Sequence, residues 1–461
     1  MRTNLYVWMI LAALLFVSCG GGGGGPTPKP PNGNGNGTTG AVWFYTYPTG
    51  EQWVIAPPGT AKSASGVTMV ADSQLYAFNA RDDGSFYFQF AEGNIRTVNV
   101  SYTADDGSPK SVVPAPFSIE QHLTHDFALT GAAPNDMEFM DGRCYIVNSM
   151  DNNLAIYDTA DFTKIGGLTF PEWSSPSYIF VGDELGFIAC NGNNTIYAFN
   201  PSDGTEQWSV PLEAGGLAFL GPGRLWANED YVFVPLANIA EFGSAGEETL
   251  YNTAQVAVIG IDSHLMEFAI TLSGENAVDI APVGEDLLAI SQAGNVSFDE
   301  DYNPFVTTPS FIDVYSLDTM RIEESVSLGV VGAGTLLYDE ERSRLLVGSL
   351  VNGRAYAINT ESWVIERGRT NPIRIGTGKT LISDMLLTDD ALLAASFNED
   401  AIFALDPEDY AVGVWPLPAP LSLEQETLFL AGPQELYYDN AAGALLILEG
   451  VANRIARFGM P

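Results

Sequence analysis

The chain has 461 residues, 46% of them hydrophobic, and carries 57 acidic side chains against 19 Lys and Arg, a formal net charge of −38. The imbalance comes from scarce base rather than acidic runs, because only 16% of residues are charged against about 25% in typical proteins. Such a surface repels phosphate backbones, so nucleic acid is excluded as a partner, and a core of considerable size can be buried.

The first element is a targeting segment, residues 1–18. Arg2 supplies a basic start, and Leu5 to Val17 form an apolar run shorter than the ~20 residues a membrane-spanning helix needs. Its end, Leu15-Phe16-Val17-Ser18-Cys19, resembles a bacterial lipobox, with Phe16 where that family prefers Leu. The resemblance implies a cleaved signal peptide, lipidation of Cys19 (palmitate among its acyl chains) and a membrane partner reached through that lipid. Gly20 rather than Asp follows the cysteine, which by resemblance to Gram-negative lipoproteins implies the outer membrane, on its periplasmic side or at the cell surface. Residues 19–40 continue as a Gly/Pro/Asn tract with no apolar residue before Ala41. Such a tract cannot bury enough surface to offset its ordering entropy, so a disordered tether is expected.

Residues 41–116 alternate in short strand-like runs, among them VTMVA from Val67, SFYFQF from Ser85 and IRTVNVSY from Ile95, with turn signals at Asp83-Gly84 and Asp106-Gly107. The Asp83-Gly84-Ser85-Phe86 segment resembles small Ig-like or carboxypeptidase-regulatory-like modules, implying a β-sandwich that acts as a spacer.

From 117 to 461 the sequence repeats. Six runs of alternating apolar residues end in Asp158, Asn200, Asp262, Asp318, Asn359 and Asp406, and a seventh ends in Gly459, at spacings between 41 and 62 residues. That period, with four short strands per repeat, predicts an all-β, seven-bladed β-propeller. The last repeat stops after three strands, and the segment Phe117–Thr130 is expected to close the ring as its fourth, which would hide an open sheet edge. Tyr145-Ile146-Val147-Asn148-Ser149 resembles the YVTN-type propeller repeat, and Asn200-Pro201-Ser202-Asp203-Gly204 through Trp208 resembles a quinoprotein-type repeat. Those resemblances concern fold and leave activity open.

Aligned on this period, Cys144 matches Gly186 and Cys190 matches Asn148. An offset of four residues is roughly 13 Å along a strand, beyond the ~7 Å that a disulfide spans, so two buried free thiols are expected. The same alignment places Asp136, Tyr178, Arg224, Asp279, Thr335, Asp384 and Glu435 around one mouth of the central channel. The carboxylates Asp136, Asp279, Asp384 and Glu435 could hold a hard cation, Ca²⁺ being the one cofactor the ring suggests; the plainer reading is that each caps a backbone N–H group of its own or the next blade. Two insertions, Pro235–Gln255 and Ala293–Ser310, fall in the same loop of blades three and four and carry Phe242, Tyr251, Phe298, Tyr302 and Phe305. They form either a binding wall or tolerated surface insertions.

Three histidines, His122, His125 and His264, and no GxSxG elbow, phosphate loop or GxGxxG before a helix leave little enzyme chemistry in view. The expectation is a monomeric, non-catalytic binding propeller of the cell envelope that contacts a protein, glycan or small ligand. The alternative is a lactonase-like hydrolase using channel-mouth Ca²⁺.

Overall fold

A computed structural model describes residues 42–459 apart from short internal stretches, the longest being 417–431, 118–124, 47–51, 214–218 and 376–380. Cys19, the targeting segment, the tether and Tyr302 therefore lie outside the described residues. Within them the regular structure is β throughout, and no helix is long and apolar enough to cross a membrane.

The N-terminal part forms two four-stranded sheets. One runs Phe86–Phe90, Gln52–Ala56, Trp43–Thr46 and Ala115–Phe117, the last pair parallel; the other runs Gln74–Asn79, Gly66–Ala71, Val98–Thr103 and Pro109–Val112. The strict alternation of Gly66–Ala71, exposed then buried at each step, turns Val67, Met69 and Ala71 onto a core shared with Val54, Phe86, Phe90 and Val100. Phe117, placed by the sequence at the start of the closing segment, instead pairs with Tyr45 in this unit.

Among the described residues seven further antiparallel sheets of four or five strands follow. Their first strands are Pro134–Met140, Pro176–Val181, Trp226–Ala227, Ala277–Val283, Ala333–Asp339, Ile382–Leu387 and Pro433–Asp439. First strands of neighbouring sheets pack side by side, save that the second and third sheets meet through a shared apolar core, and the seventh packs on the first, so the sheets stand in a ring. In six sheets the outer strand comes from the same repeat; in the last it is His125–Leu129, antiparallel to Arg454–Gly459. Two bonds extend this closure, Thr130 N donating to Asn453 O at 3.0 Å and Ala133 N to Asn453 Oδ1 at 2.8 Å.

Burial follows position in the ring. Second strands such as Gly186–Cys190 and Ala444–Glu449 are buried at every residue, because each middle strand is covered on both faces by neighbouring sheets. Their sequences are accordingly continuous apolar runs. Third strands behave alike, Asn153–Asp158 being buried from Leu154 to Tyr157 rather than alternating as the sequence suggested. Outer strands such as Lys164–Thr169 are largely exposed. Cys144 and Cys190 sit on second strands as free, buried thiols, and burial pushes both well above the usual thiol range.

The repeating Asp or Asn closes a turn. Asp158 Oδ1 accepts from Ala160 N at 2.8 Å, Asn200 Oδ1 from Ser202 N at 2.8 Å, Asn359 Oδ1 from Ser362 N at 2.9 Å and Asp406 Oδ1 from Glu408 N at 2.7 Å. Four residues after each comes a left-handed residue, φ 54° at Phe162, 77° at Gly204, 55° at Trp363 and 61° at Tyr410. In the third and fourth sheets this slot is Gly260 and Ser316, two residues before Asp262 and Asp318: His264 N donates to Gly260 O, and Thr319 N to Ser316 Oγ. The sequence alignment is shifted by two there, because an Asp near the strand end is mimicked by the following turn residue.

Candidate functional site

Each first strand begins with an irregularity. The register slips between Pro134 and Asp136, Pro176 and Tyr178, Ala277 and Asp279, Ala333 and Leu336, Ile382 and Asp384, and Pro433 and Glu435. A bulge of this kind re-aims one side chain and strengthens the local twist. In the third sheet the bridge Pro222↔Leu236 puts Arg224 in the same place. The seven positions inferred from the sequence are thus structurally equivalent.

Five of them meet. Arg224 forms a two-pronged pair with Glu435 across the channel, Nη1 donating to Oε1 at 3.0 Å and Nη2 to Oε2. Its guanidinium also lies 3.7 Å from Asp136, 4.0 Å from Asp279 and 3.7 Å from Asp384. Arg224 is placed by its neighbours: its backbone N donates to Val278 O at 3.0 Å, and a Cβ at Gly223 would stand 2.3 Å from that same oxygen, so only glycine fits before it.

The three aspartates also stitch sheets together. Asp136 accepts from Met137 N at 3.0 Å and, across the seam, from Ile179 N at 2.9 Å. Asp279 accepts from Ile280 N at 2.8 Å and from Leu336 N at 2.8 Å, and Asp384 from Leu436 N at 2.9 Å. First strands have no ladder partner on the channel side, so their N–H groups need acceptors, and a carboxylate two residues in supplies them. Tyr178 and Thr335 take the remaining places; the Thr335 hydroxyl is buried with no hydrogen-bond partner among the described residues.

One guanidinium cannot balance this many carboxylates. Burial pushes Asp384 up to about 6, offset in part by Arg224 and by backbone N–H groups. Burial, with Asp136 beside it, pushes Glu138 up to about 8. Burial likewise raises Asp136 and Asp279, and the Tyr178 phenol to about 12. The cluster titrates as a unit and holds protons near neutral pH.

That arrangement does not fit a bound cation. Asp136, Asp279 and Asp384 already accept backbone N–H groups, and the guanidinium stands where they converge. Among the described residues no group of three or more His, Cys, Asp or Glu could hold a metal ion. Asp136, Asp279 and Asp384 thus cap backbone N–H groups, whereas Glu435 pairs with Arg224.

The two insertions are β-hairpins, missed as such in the sequence. Ile239–Glu241 pairs with Leu250–Tyr251, and Val296–Phe298 with Pro304–Val306. Because second strands end where first strands begin, both hairpins stand at the mouth carrying the ring. They are bonded to each other: Gly246 N donates to Phe298 O at 2.8 Å, Thr249 N to Ser297 Oγ at 2.9 Å, and Tyr251 OH to Val296 O at 3.0 Å. Glu248 accepts from Asn295 and Thr307 of the second hairpin. Phe242 packs on Phe219 with ring centroids 5.9 Å apart, in a cluster that Tyr251 joins, and Phe298 and Phe305 are half-buried. Of these aromatics, Tyr251 ties the two hairpins together through Val296 O, and Phe242 anchors the first hairpin on Phe219.

No protein-family profile and no curated protein sequence matches this chain. Solved structures do. Selenomethionine-substituted virginiamycin B lyase from Staphylococcus aureus superposes with a TM-score of 0.55 at 11% identity, covering 74% of this chain and 100% of that one. A streptogramin B lyase gives 0.55 at 11% identity, covering 74% and 99%, and a catalytically inactive variant of the Staphylococcus aureus enzyme with quinupristin gives 0.53 at 11%, covering 74% and 100%. The chain is a β-propeller. At 11% identity the likeness extends to the fold and no further.

Proposed function

We propose that this propeller is a non-catalytic binding scaffold of the cell envelope, anchored to the outer membrane through lipidated Cys19 and reaching its partner with the hairpins of the third and fourth sheets. The observation that carries this reading is the seam of hydrogen bonds joining those hairpins. Two adjacent insertions locked into one wall on a rigid ring form a preorganised contact surface. The channel below supports binding rather than chemistry, since Arg224 and Glu435 bridge it and its carboxylates are engaged. A lyase or hydrolase reading has less behind it. His264, whose side chain is described, stacks on Trp208 at 4.9 Å on a third-to-outer turn, at the opposite end of the strands from the mouth.

Two experiments test the proposal. Cys19→Ser should move the protein from the membrane to the soluble fraction and abolish labelling by a palmitate analogue; an unlabelled wild type refutes the anchor. Deleting Glu241–Thr253 should leave the β-type circular dichroism intact yet abolish capture of envelope components seen with the whole chain. Unchanged capture removes the hairpin wall from the binding surface.

A further inference from the structure

A second feature of the mouth face lies away from the hairpin wall, over the seam between the first and second sheets. Three loops meet there: Ser149–Asn152, Phe170–Ser175 and Asn191–Asn194. Trp173 stands at their centre, 62% exposed, and Met150 beside this seam is 66% exposed. Trp173 has φ 70° and Ser175 φ 48°, a left-handed region that is costly for a bulky side chain and persists only where surrounding contacts over-determine it.

Those contacts are numerous. Ser174 Oγ donates to Pro171 O at 2.7 Å, Gly192 N to Ser174 O at 2.8 Å, Asn191 N to Ser175 O at 3.0 Å, and Asn193 Nδ2 to Ser174 Oγ at 3.0 Å. From the first sheet Asn152 Oδ1 accepts from Ser175 N at 3.0 Å. Gly192 is required, because a Cβ there would lie 1.8 Å from Trp173 O. These bonds fix the strained backbone around Trp173, whose indole is mostly exposed and belongs to none of the core clusters among the described residues.

We infer that Trp173 is the stacking platform of a binding site for a neutral carbohydrate. Size decides between occupants. The exposed indole offers roughly 150 Å², about one sugar-ring face, whereas a stable protein contact needs about 800 Å² per partner; in these three loops Met150 is the one other exposed large apolar side chain among the described residues. The rim is Asp151, Glu172 and Asn193, all exposed, with no Lys or Arg in the loops. Carboxylate and amide oxygens accept from hydroxyls, and the negative sign excludes anionic polysaccharides. The pinned loop spares the binding step its ordering entropy.

The test uses the full chain purified in mild detergent, run by affinity electrophoresis through gels containing a soluble β-glucan, xylan, mannan or starch, with polygalacturonate as the anionic control. At least one neutral polysaccharide should retard the protein and polygalacturonate should not. Trp173→Ala should abolish the retardation with melting unchanged, Trp173→Tyr should keep part of it, and deletion of Glu241–Thr253 should leave it intact. That last arm separates this site from the hairpin wall. Absence of retardation by all four neutral polysaccharides, or retardation that survives Trp173→Ala, overturns the inference.

Discussion

Replacing Arg224 by Met keeps the length and apolar stem of the side chain but removes the single positive charge at the centre of the ring. Glu435, Asp136, Asp279 and Asp384, all within 4.0 Å of the guanidinium, would then face one another. At an effective dielectric of ~20 each such contact is worth about 4 kcal/mol, but mutual repulsion of the carboxylates already offsets part of this. Removing one partner of a buried ion pair loses about 3–5 kcal/mol, and the 27% exposure of Arg224 points to the lower end, about 3 kcal/mol at pH 8. The loss must depend on pH. Carboxylates whose folded-state affinity for protons exceeds the unfolded one stabilise fully below their unfolded values near 4 and lose that contribution as pH rises through the folded ones. The variant's deficit should therefore shrink toward pH 5, where the ring can neutralise itself with protons, and should be partly restored at pH 8 by adding Glu435→Gln. Urea titrations followed by tryptophan fluorescence at pH 5 and 8 measure both effects. A deficit at pH 8 below about 0.5 kcal/mol, or one equal at the two pH values, would refute the account of Arg224 as the ring's internal counter-charge.

Other consequences are sharper locally. Glu138 is pushed up to about 8 and Asp384 to about 6, both above their unfolded values, so their contribution to stability falls in steps as pH rises through 6 and 8; Glu138→Gln should reduce the loss between pH 7 and 9 by about 1 kcal/mol, read from urea midpoints. Ser297 is fully buried and its hydroxyl accepts from Thr249 N, so Ser297→Ala should cost about 1–3 kcal/mol and speed hydrogen exchange at Gly246 to Tyr251, with the rest of the ring unchanged. Ala128→Pro removes an N–H that faces Ile455 of the strand Arg454–Gly459, on the same side as the Thr130 N–H bonded to Asn453 O. It should open that edge and yield aggregates in size-exclusion chromatography, whereas a monomeric, fully folded variant would count against this strand as the closure.

The ring was legible in the sequence because its strands obey two different covers. Second strands such as Phe187-Ile188-Ala189-Cys190 are sealed on both faces and show as unbroken apolar runs, while third strands end in side chains that cap their own turn. Counting from those landmarks placed Asp136, Asp279, Asp384 and Glu435 at one mouth. Counting could not reveal that Arg224 reaches Glu435, a partner 211 positions away, because that contact depends on channel width and rotamer, neither of which leaves a periodic trace. The hairpin seam was hidden for the same reason: Tyr251 and Val296 belong to different loops, and nothing local in either segment announces the other. In the third and fourth sheets the nearby Asp262 and Asp318 displaced the true turn slots, Gly260 and Ser316, since strand-end acids look alike whether or not they cap.

The outer strand His125–Leu129 is bonded to its sheet along one edge only, and everything N-terminal is covalently connected to the ring through it. Mechanical load applied from the N-terminal side must enter the ring at these five residues before it reaches any other sheet. The ring thus has a designated breaking point. Peeling that strand would release the seventh sheet's edge while leaving the other six sheets, each completed within its own repeat, to resist on their own.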